Sequence, residues 1–108
     1  GERQKVLEQA GAVIHRTATD GQGRLPVEEV LRVLGSADIT SVLVEGGAAV
    51  HGAFLRAKLV DQVFLFMAPY CIGDGGTPLV TGYSLGIDET ALELTGITTE
   101  ILGRDILI

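Results

Sequence analysis

Two short and almost uninterrupted apolar runs, separated by a stretch with helical spacing, constrain this chain more than anything else in it. The first is Ile39 followed by Val42-Leu43-Val44. The second fills residues 60–69, with Val63, Leu65 and Met67 on one face and Phe64, Phe66 and Ala68 on the other. Runs that are apolar on both faces suit strands covered on both sides. Between them, Glu45-Gly46-Gly47 ends the first run. Residues 48–59 then place Val50, Phe54 and Leu55 on one side of a helix, whose end carries Arg56 and Lys58, cations that complement the helix dipole. Strand, glycine turn, helix and strand in that order predict a parallel α/β unit with a right-handed crossover.

The flanking segments extend the pattern. Val6, Leu7 and Ala10 recur at helical spacing and predict a helix to about residue 10, closed by Gly11 in the left-handed conformation and followed by a short strand over residues 12–15. Residues 17–24 are polar and glycine-rich, hence a surface loop. Pro26 is expected at the first helical position. Val27, Val30, Leu31 and Leu34 then form a stripe for packing on a sheet, and Gly35 terminates the helix. Residues 72–86 carry Gly73, Gly75, Gly76, Pro78, Gly82 and Gly86 and read as a long surface connection of the kind that often serves function. Residues 91–97 alternate, and Glu100-Ile101-Leu102 with Asp105-Ile106-Leu107-Ile108 reads as a terminal antiparallel pair. The expected architecture is therefore three-layer α/β, with a mostly parallel sheet and a C-terminal antiparallel hairpin.

Length and charge narrow the function classes. A chain of 108 residues is one domain, residues 1–108, with a modest core. Eight basic residues against fourteen acidic ones give a net charge of -6 with no Lys/Arg cluster, so a phosphate-tracking nucleic-acid surface has no electrostatic support. The single Cys71 has no disulfide partner and no second Cys with which to build a zinc site. No metal is expected, Cys71 reads as a small buried hydrophobe, and a reducing cytoplasm fits. No run of about 18 apolar residues occurs and residues 1–5 are polar, so neither membrane insertion nor export is indicated.

The chemistry centres on Glu45-Gly46-Gly47. Glycines between a strand and a helix let a ligand approach the backbone, and the helix N-terminus presents N–H groups to a pyrophosphate. The same glycines would also serve a plain tight turn that brings helix and strand together. Gly46-Gly47-Ala48-Ala49 departs from the Gly-x-Gly-x-x-Gly fingerprint, because residue 51 is His and no suitably placed acidic strand end follows. A Rossmann domain is disfavoured. By itself, Glu45 at the strand end could simply be a carboxylate accepting backbone N–H groups of the turn.

Several motifs then occur in order: Val44-Glu45-Gly46-Gly47, Leu59-Val60-Asp61-Gln62, Ala68-Pro69 followed by Gly73-Asp74-Gly75-Gly76, and the closing Gly103-Arg104-Asp105. Together they resemble the reductase domain of the bifunctional riboflavin-biosynthesis deaminase/reductase, which has a dihydrofolate-reductase-like fold. The resemblance runs from about Val6 to the end. Gln62 stands where that family often has Glu, and Asp74 interrupts the glycine run.

The resemblance implies hydride transfer from NADPH to the ribosyl C1 of 5-amino-6-(5-phosphoribosylamino)uracil, giving the ribityl product. It implies that Gly46, Gly47, Ala48 and Ala49 hold the cofactor pyrophosphate. Glu45 would be the catalytic group near the ribose, supplying or relaying a proton or orienting a ribose hydroxyl, and Glu45, Gly73, Gly75 and Gly76 would line the substrate side. Arg16 is a weak candidate for a grip on a 2'-phosphate, so NADPH and NADH stay undistinguished by residues. Asp105, His15 and His51 read as structural or surface residues. Three alternatives stay open: a nucleotide-binding fragment without turnover, a structural domain that has lost substrate, and a folate or other pteridine reductase of the same fold.

The resemblance further implies a full reductase domain about twice as long, with the opening strands and much of the substrate-phosphate site in its first half. The strands at residues 42–44 and 63–67 would then lack neighbours, leaving an apolar surface and an unpaired edge. Dimerisation through that surface, or origin in a longer protein, is the expected consequence.

Overall fold

A computed structural model describes residues 1–85 and 91–108, and the end of the long glycine connection at Gly86 lies outside the described residues. The chain divides into two compact units, Gly1–Leu43 and Val44–Ile108.

The first unit contains two helices, α1 (Glu2–Gln9) and α2 (Val27–Ser36), and no strand. Gly11 closes α1 as its sequence suggests. With Gly11 at φ 88°, its N–H reaches the Glu8 carbonyl at 3.0 Å and the Ala12 N–H reaches the Leu7 carbonyl at 3.0 Å, the two bonds of a Schellman closure. The Ala12 N–H is thus engaged in the helix end, and residues 12–15 form no strand, contrary to the sequence expectation. Pro26 precedes α2 as its N-cap: its ψ of 132° is extended, while its carbonyl accepts the Val30 N–H at 3.3 Å. Gly35 lies inside α2 and does not end it. Asp38 does, at φ 60°, with the Ile39 N–H bonded to the Leu34 carbonyl at 3.1 Å. Aspartate tolerates the left-handed region better than most side chains.

Between the helices, residues 17–24 form the expected loop, organised by one carboxylate. Asp20 Oδ1 accepts the backbone N–H groups of Gln22 (2.8 Å) and Arg24 (2.9 Å), and Oδ2 pairs with Arg24 Nε at 3.0 Å. This is an Asx-type turn, and Gly23 supplies its positive φ of 75°.

The second unit holds α3 (Ala48–Ala57), β1 (Phe66–Met67), a single 3-10 turn (Gly73–Gly75), β2 (Glu100–Leu102) and β3 (Asp105–Leu107). The three strands form one antiparallel sheet in the order β1-β3-β2. Leu102 faces Asp105, Ile101 faces Ile106 and Glu100 faces Leu107 across the hairpin, while Phe66 faces Leu107 and Met67 faces Ile106 on the other side. Reciprocal bonds between Leu65 and Ile108, at 2.9 and 3.0 Å, carry the β1 pairing one residue further. Gly103 at φ 67° followed by Arg104 makes a two-residue connection with glycine first, the arrangement whose twist matches that of the strands. Arg104 in turn lies over the Tyr70 ring, 5.5 Å from its centroid.

The terminal hairpin is therefore as expected, and the mostly parallel three-layer sheet is not what these residues build. The chain is a small α/β protein whose described strands pair only antiparallel. Residues 42–44 and 91–97 form no strand, and only Phe66–Met67 of the run at 60–69 is assigned to one. Nor are the two runs buried on both faces. Leu43 is 74%, Phe64 55% and Phe66 65% exposed. A strand is buried twice only when a layer covers each side of it, and within the second unit α3 does not contact the sheet. Phe54 is the one buried hydrophobic side chain among the described residues. Cys71 is likewise exposed, not a buried hydrophobe.

Candidate functional site

The turn at Glu45-Gly46-Gly47 leads directly into α3. The Gly47 N–H donates to the Glu45 carbonyl at 3.0 Å, closing a three-residue turn about Gly46. Space beside Gly46 is tight: a Cβ there would stand 3.1 Å from both Cβ and Cγ1 of Val50. Gly47 is required by conformation, because φ 82° with ψ 172° is a region essentially restricted to glycine. A Cβ on Gly47 would meet nothing within 4 Å, so the space beside it is open.

Gly47 is the N-cap of α3, and its carbonyl accepts the N–H groups of Val50 at 3.1 Å and His51 at 3.0 Å. No side chain caps this end. The N–H groups of Ala48 and Ala49 are consequently without an acceptor among the described residues, as the first donors of a helix are unless a cap or ligand takes them. Glu45, Gly46, Gly47 and Ala49 are exposed, and Ala48 is half-buried. The bond at the turn is made by the Glu45 carbonyl, which leaves the exposed carboxylate available to solvent or ligand. An open, uncapped, glycine-rich helix start of this kind fits a pyrophosphate.

Not all of the expected site residues come together. Gly73 and Gly75 bound the 3-10 turn, with Gly73 at φ 70°, and Gly76 packs on Ile72, whose Cδ1 would lie 2.6 Å from an added Cβ. That turn makes no close backbone approach to α3, so Gly73 and Gly75 are not brought beside Ala48 and Ala49. A separate concavity of about 820 Å³ opens between residues 60–64, 92–100 and 107–108, with Asp61, Glu93 and Glu100 in its wall and none of the expected site residues. Arg16 lies in the other unit, hydrogen-bonded to Gln4. Asp105 pairs with Leu102 in the hairpin, and His15 is exposed.

Residues 79–82 lie against α3. The Thr81 N–H donates to the Ala48 carbonyl at 3.0 Å, His51 Nδ1–H donates to the Leu79 carbonyl at 3.0 Å, and the Arg56 guanidinium donates to the Gly82 carbonyl. Gly52 makes the approach possible. Sequence reasoning passed over these residues, although an interior helix glycine is a signal of close packing. Among the described residues no group of three His, Cys, Asp or Glu side chains gathers as metal ligands do, and no helix is long and apolar enough to cross a membrane.

Residues 2–108 match the family described as the RibD C-terminal domain. The riboflavin biosynthesis protein RibD of Bacillus amyloliquefaciens is 38% identical over 86 residues, which are 77% of this chain and 23% of that protein. The protein of the same name from Chlamydia pneumoniae is 31% identical over 104 residues, 96% of this chain and 27% of its own length. That of Mycobacterium tuberculosis H37Rv is 36% identical over 80 residues, 74% of this chain and 23% of its own length. The chain thus spans about a quarter of the length of the curated relatives it matches. No solved structure matches it. With almost the whole of its length accounted for in this way, the chain belongs to the RibD C-terminal domain family.

Proposed function

We propose that this chain is part of an NADPH-dependent reductase domain of riboflavin biosynthesis, acting on 5-amino-6-(5-phosphoribosylamino)uracil in the cytoplasm. The observation that carries the reading is the uncapped start of α3 behind an exposed glycine turn, with Gly47 in a conformation only glycine adopts. NADPH, when bound, supplies the hydride. Gly46 and Gly47 let the pyrophosphate approach the backbone, and the N–H groups of Ala48 and Ala49 bind its oxygens. The carboxyl of Glu45 stands beside the same turn and handles the proton that reduction also requires. Gly73, Gly75 and Gly76 are assigned to the substrate side.

The fold reading accompanies this function. Residues 1–108 act as one portion of a dihydrofolate-reductase-like domain, and the apolar segments at 42–44 and 63–67 belong to strands of a mostly parallel sheet when the rest of the domain pairs with them. The exposed side chains of Leu43, Phe64 and Phe66 are surfaces that such pairing, or a homodimer, would cover. Titration with NADPH followed by calorimetry tests the core of the proposal. Binding by the unaltered protein and by Glu45→Ala, with loss of turnover only in Glu45→Ala when the complete enzyme is assayed, supports it. Absence of NADPH binding by the unaltered protein overturns it.

A further inference from the structure

The segment at residues 79–82 lies along α3 and is held there through its own backbone groups. Its Thr81 N–H is bonded to Ala48, the first residue of α3, at 3.0 Å. Two side chains of the helix grip its carbonyls on either side: His51 holds Leu79 at 3.0 Å, and Arg56 holds Gly82. Glycine 52, buried in the helix, is what lets the strap lie flat, because any Cβ there would fall 1.8 Å from the Thr81 oxygen. Val80 is the strap residue that follows its contour, its Cγ1 3.5 Å from the same position. Carbonyls on a surface connection ordinarily face water; here two of them, within four residues, are taken by one helix.

From this arrangement we infer that the strap at residues 79–82 is a fixed wall of the nucleotide turn, and that His51 and Arg56 are positioning residues for nucleotide binding. The inference rests on the proposed role of the Glu45-Gly46-Gly47 turn. The chain enters α3 at Ala48, and the strap is anchored to that same residue, so movement of residues 79–82 changes the surroundings of the first turn and of the two donors at Ala48 and Ala49. His51 and Arg56 touch no nucleotide in this assignment. They act through the strap, whose backbone they hold, and a guanidinium reaching a carbonyl from the far end of the helix cannot be replaced by a shorter side chain.

The test compares the unaltered protein with Gly47→Asp, Gly52→Ala and the double variant His51→Ala/Arg56→Ala. Each is measured twice: by amide hydrogen exchange at Thr81 and by calorimetric titration with NADPH. Circular dichroism confirms that the double variant, whose changes are at the helix surface, keeps its helices should Gly52→Ala fail to fold. The expected result is faster Thr81 exchange in the double variant together with NADPH affinity about tenfold weaker, and no NADPH binding by Gly47→Asp. Faster exchange with unchanged affinity overturns the positioning role while leaving the turn as the nucleotide site. Unchanged exchange overturns the latch itself. Normal binding by Gly47→Asp, or no binding by the unaltered protein, overturns the reading of the turn and the positioning role with it.

Discussion

Gly52 lies directly beneath the carbonyl oxygen of Thr81, so close that a Cβ on residue 52 would stand 1.8 Å from that oxygen. Backbone, not a flexible side-chain end, is the obstacle. Substitution Gly52→Ala must therefore displace either the strap or the helix, and it should lower stability by about 1–3 kcal/mol despite the better intrinsic helix propensity of alanine. Urea denaturation measures this directly; a stability gain would show that the strap yields freely.

At the glycine turn, conformation and charge can be separated. Gly47→Ala forces a non-glycine residue into the region at φ 82° and ψ 172° and should destabilise the turn by about 1–3 kcal/mol while retaining part of the NADPH affinity. Gly47→Asp adds a negative charge where the proposed pyrophosphate binds, and should remove binding altogether. Equal affinities for the two variants would mean that strain alone, with no anion site, explains the effect.

The left-handed residue that ends α3 is Lys58, at φ 56°, with the Leu59 N–H bonded to the Phe54 carbonyl at 3.2 Å. Glycine adopts this conformation without the Cβ clash. Lys58→Gly should raise stability by about 1 kcal/mol, read as a higher denaturation midpoint with unchanged slope.

The Asp20 carboxyl is held below its ordinary pKa, chiefly by the backbone N–H of Arg24, then by that of Gln22, with the Arg24 side chain adding to both. A depressed folded pKa contributes stability that is fully present above the unfolded value of about 3.9 and is lost as the pH falls through the folded value. Because the group is open to solvent, the contribution is small. An NMR titration should place the Asp20 midpoint below that of a model aspartate, and Asp20→Asn should flatten the acid limb of the stability profile. A midpoint at or above the model value would contradict the loop geometry.

Arg104 over Tyr70 ties the hairpin connection to the chain just beyond β1. Arg104→Ala should loosen the hairpin by about 0.5–1 kcal/mol, the range of an exposed cation–aromatic contact, and Tyr70→Phe should leave it nearly unchanged because the ring face is kept. Amide exchange at Ile106 reports both.

Much of the local structure was legible from residues with a single strong preference. Gly11 ends α1 because only a residue tolerant of the left-handed region can, and the polar, glycine-rich stretch around Asp20 could only be a loop. Gly103 before Arg104 marked the hairpin that joins β2 to β3. The readings that differ share a cause. Gly35 and Pro26 do not hold the commonest positions for their residue types: the helix end is decided by Asp38, and Pro26 keeps an extended ψ as a cap. The runs at 42–44 and 60–69 look like buried strands because their side chains are apolar, but a strand exists only where a neighbour accepts its N–H groups. Such a neighbour is provided by β3 at Phe66 and Met67, and by Ile108 at Leu65.

For the site, the order of residues by itself determined the turn: Glu45, two glycines and the start of a helix are consecutive, and local sterics alone place Gly47 where no other residue fits. What the tertiary structure decided is which distant residues join it. Residues 79–82 lie against α3 because Gly52 removes a side chain at the crossing and because His51 and Arg56 find backbone carbonyls there, whereas Gly73 and Gly75, equally suggestive in sequence, fold into a 3-10 turn whose backbone does not approach the helix. Proximity across some thirty residues depends on which backbone groups can approach and pair, and a one-dimensional pattern carries no such distance.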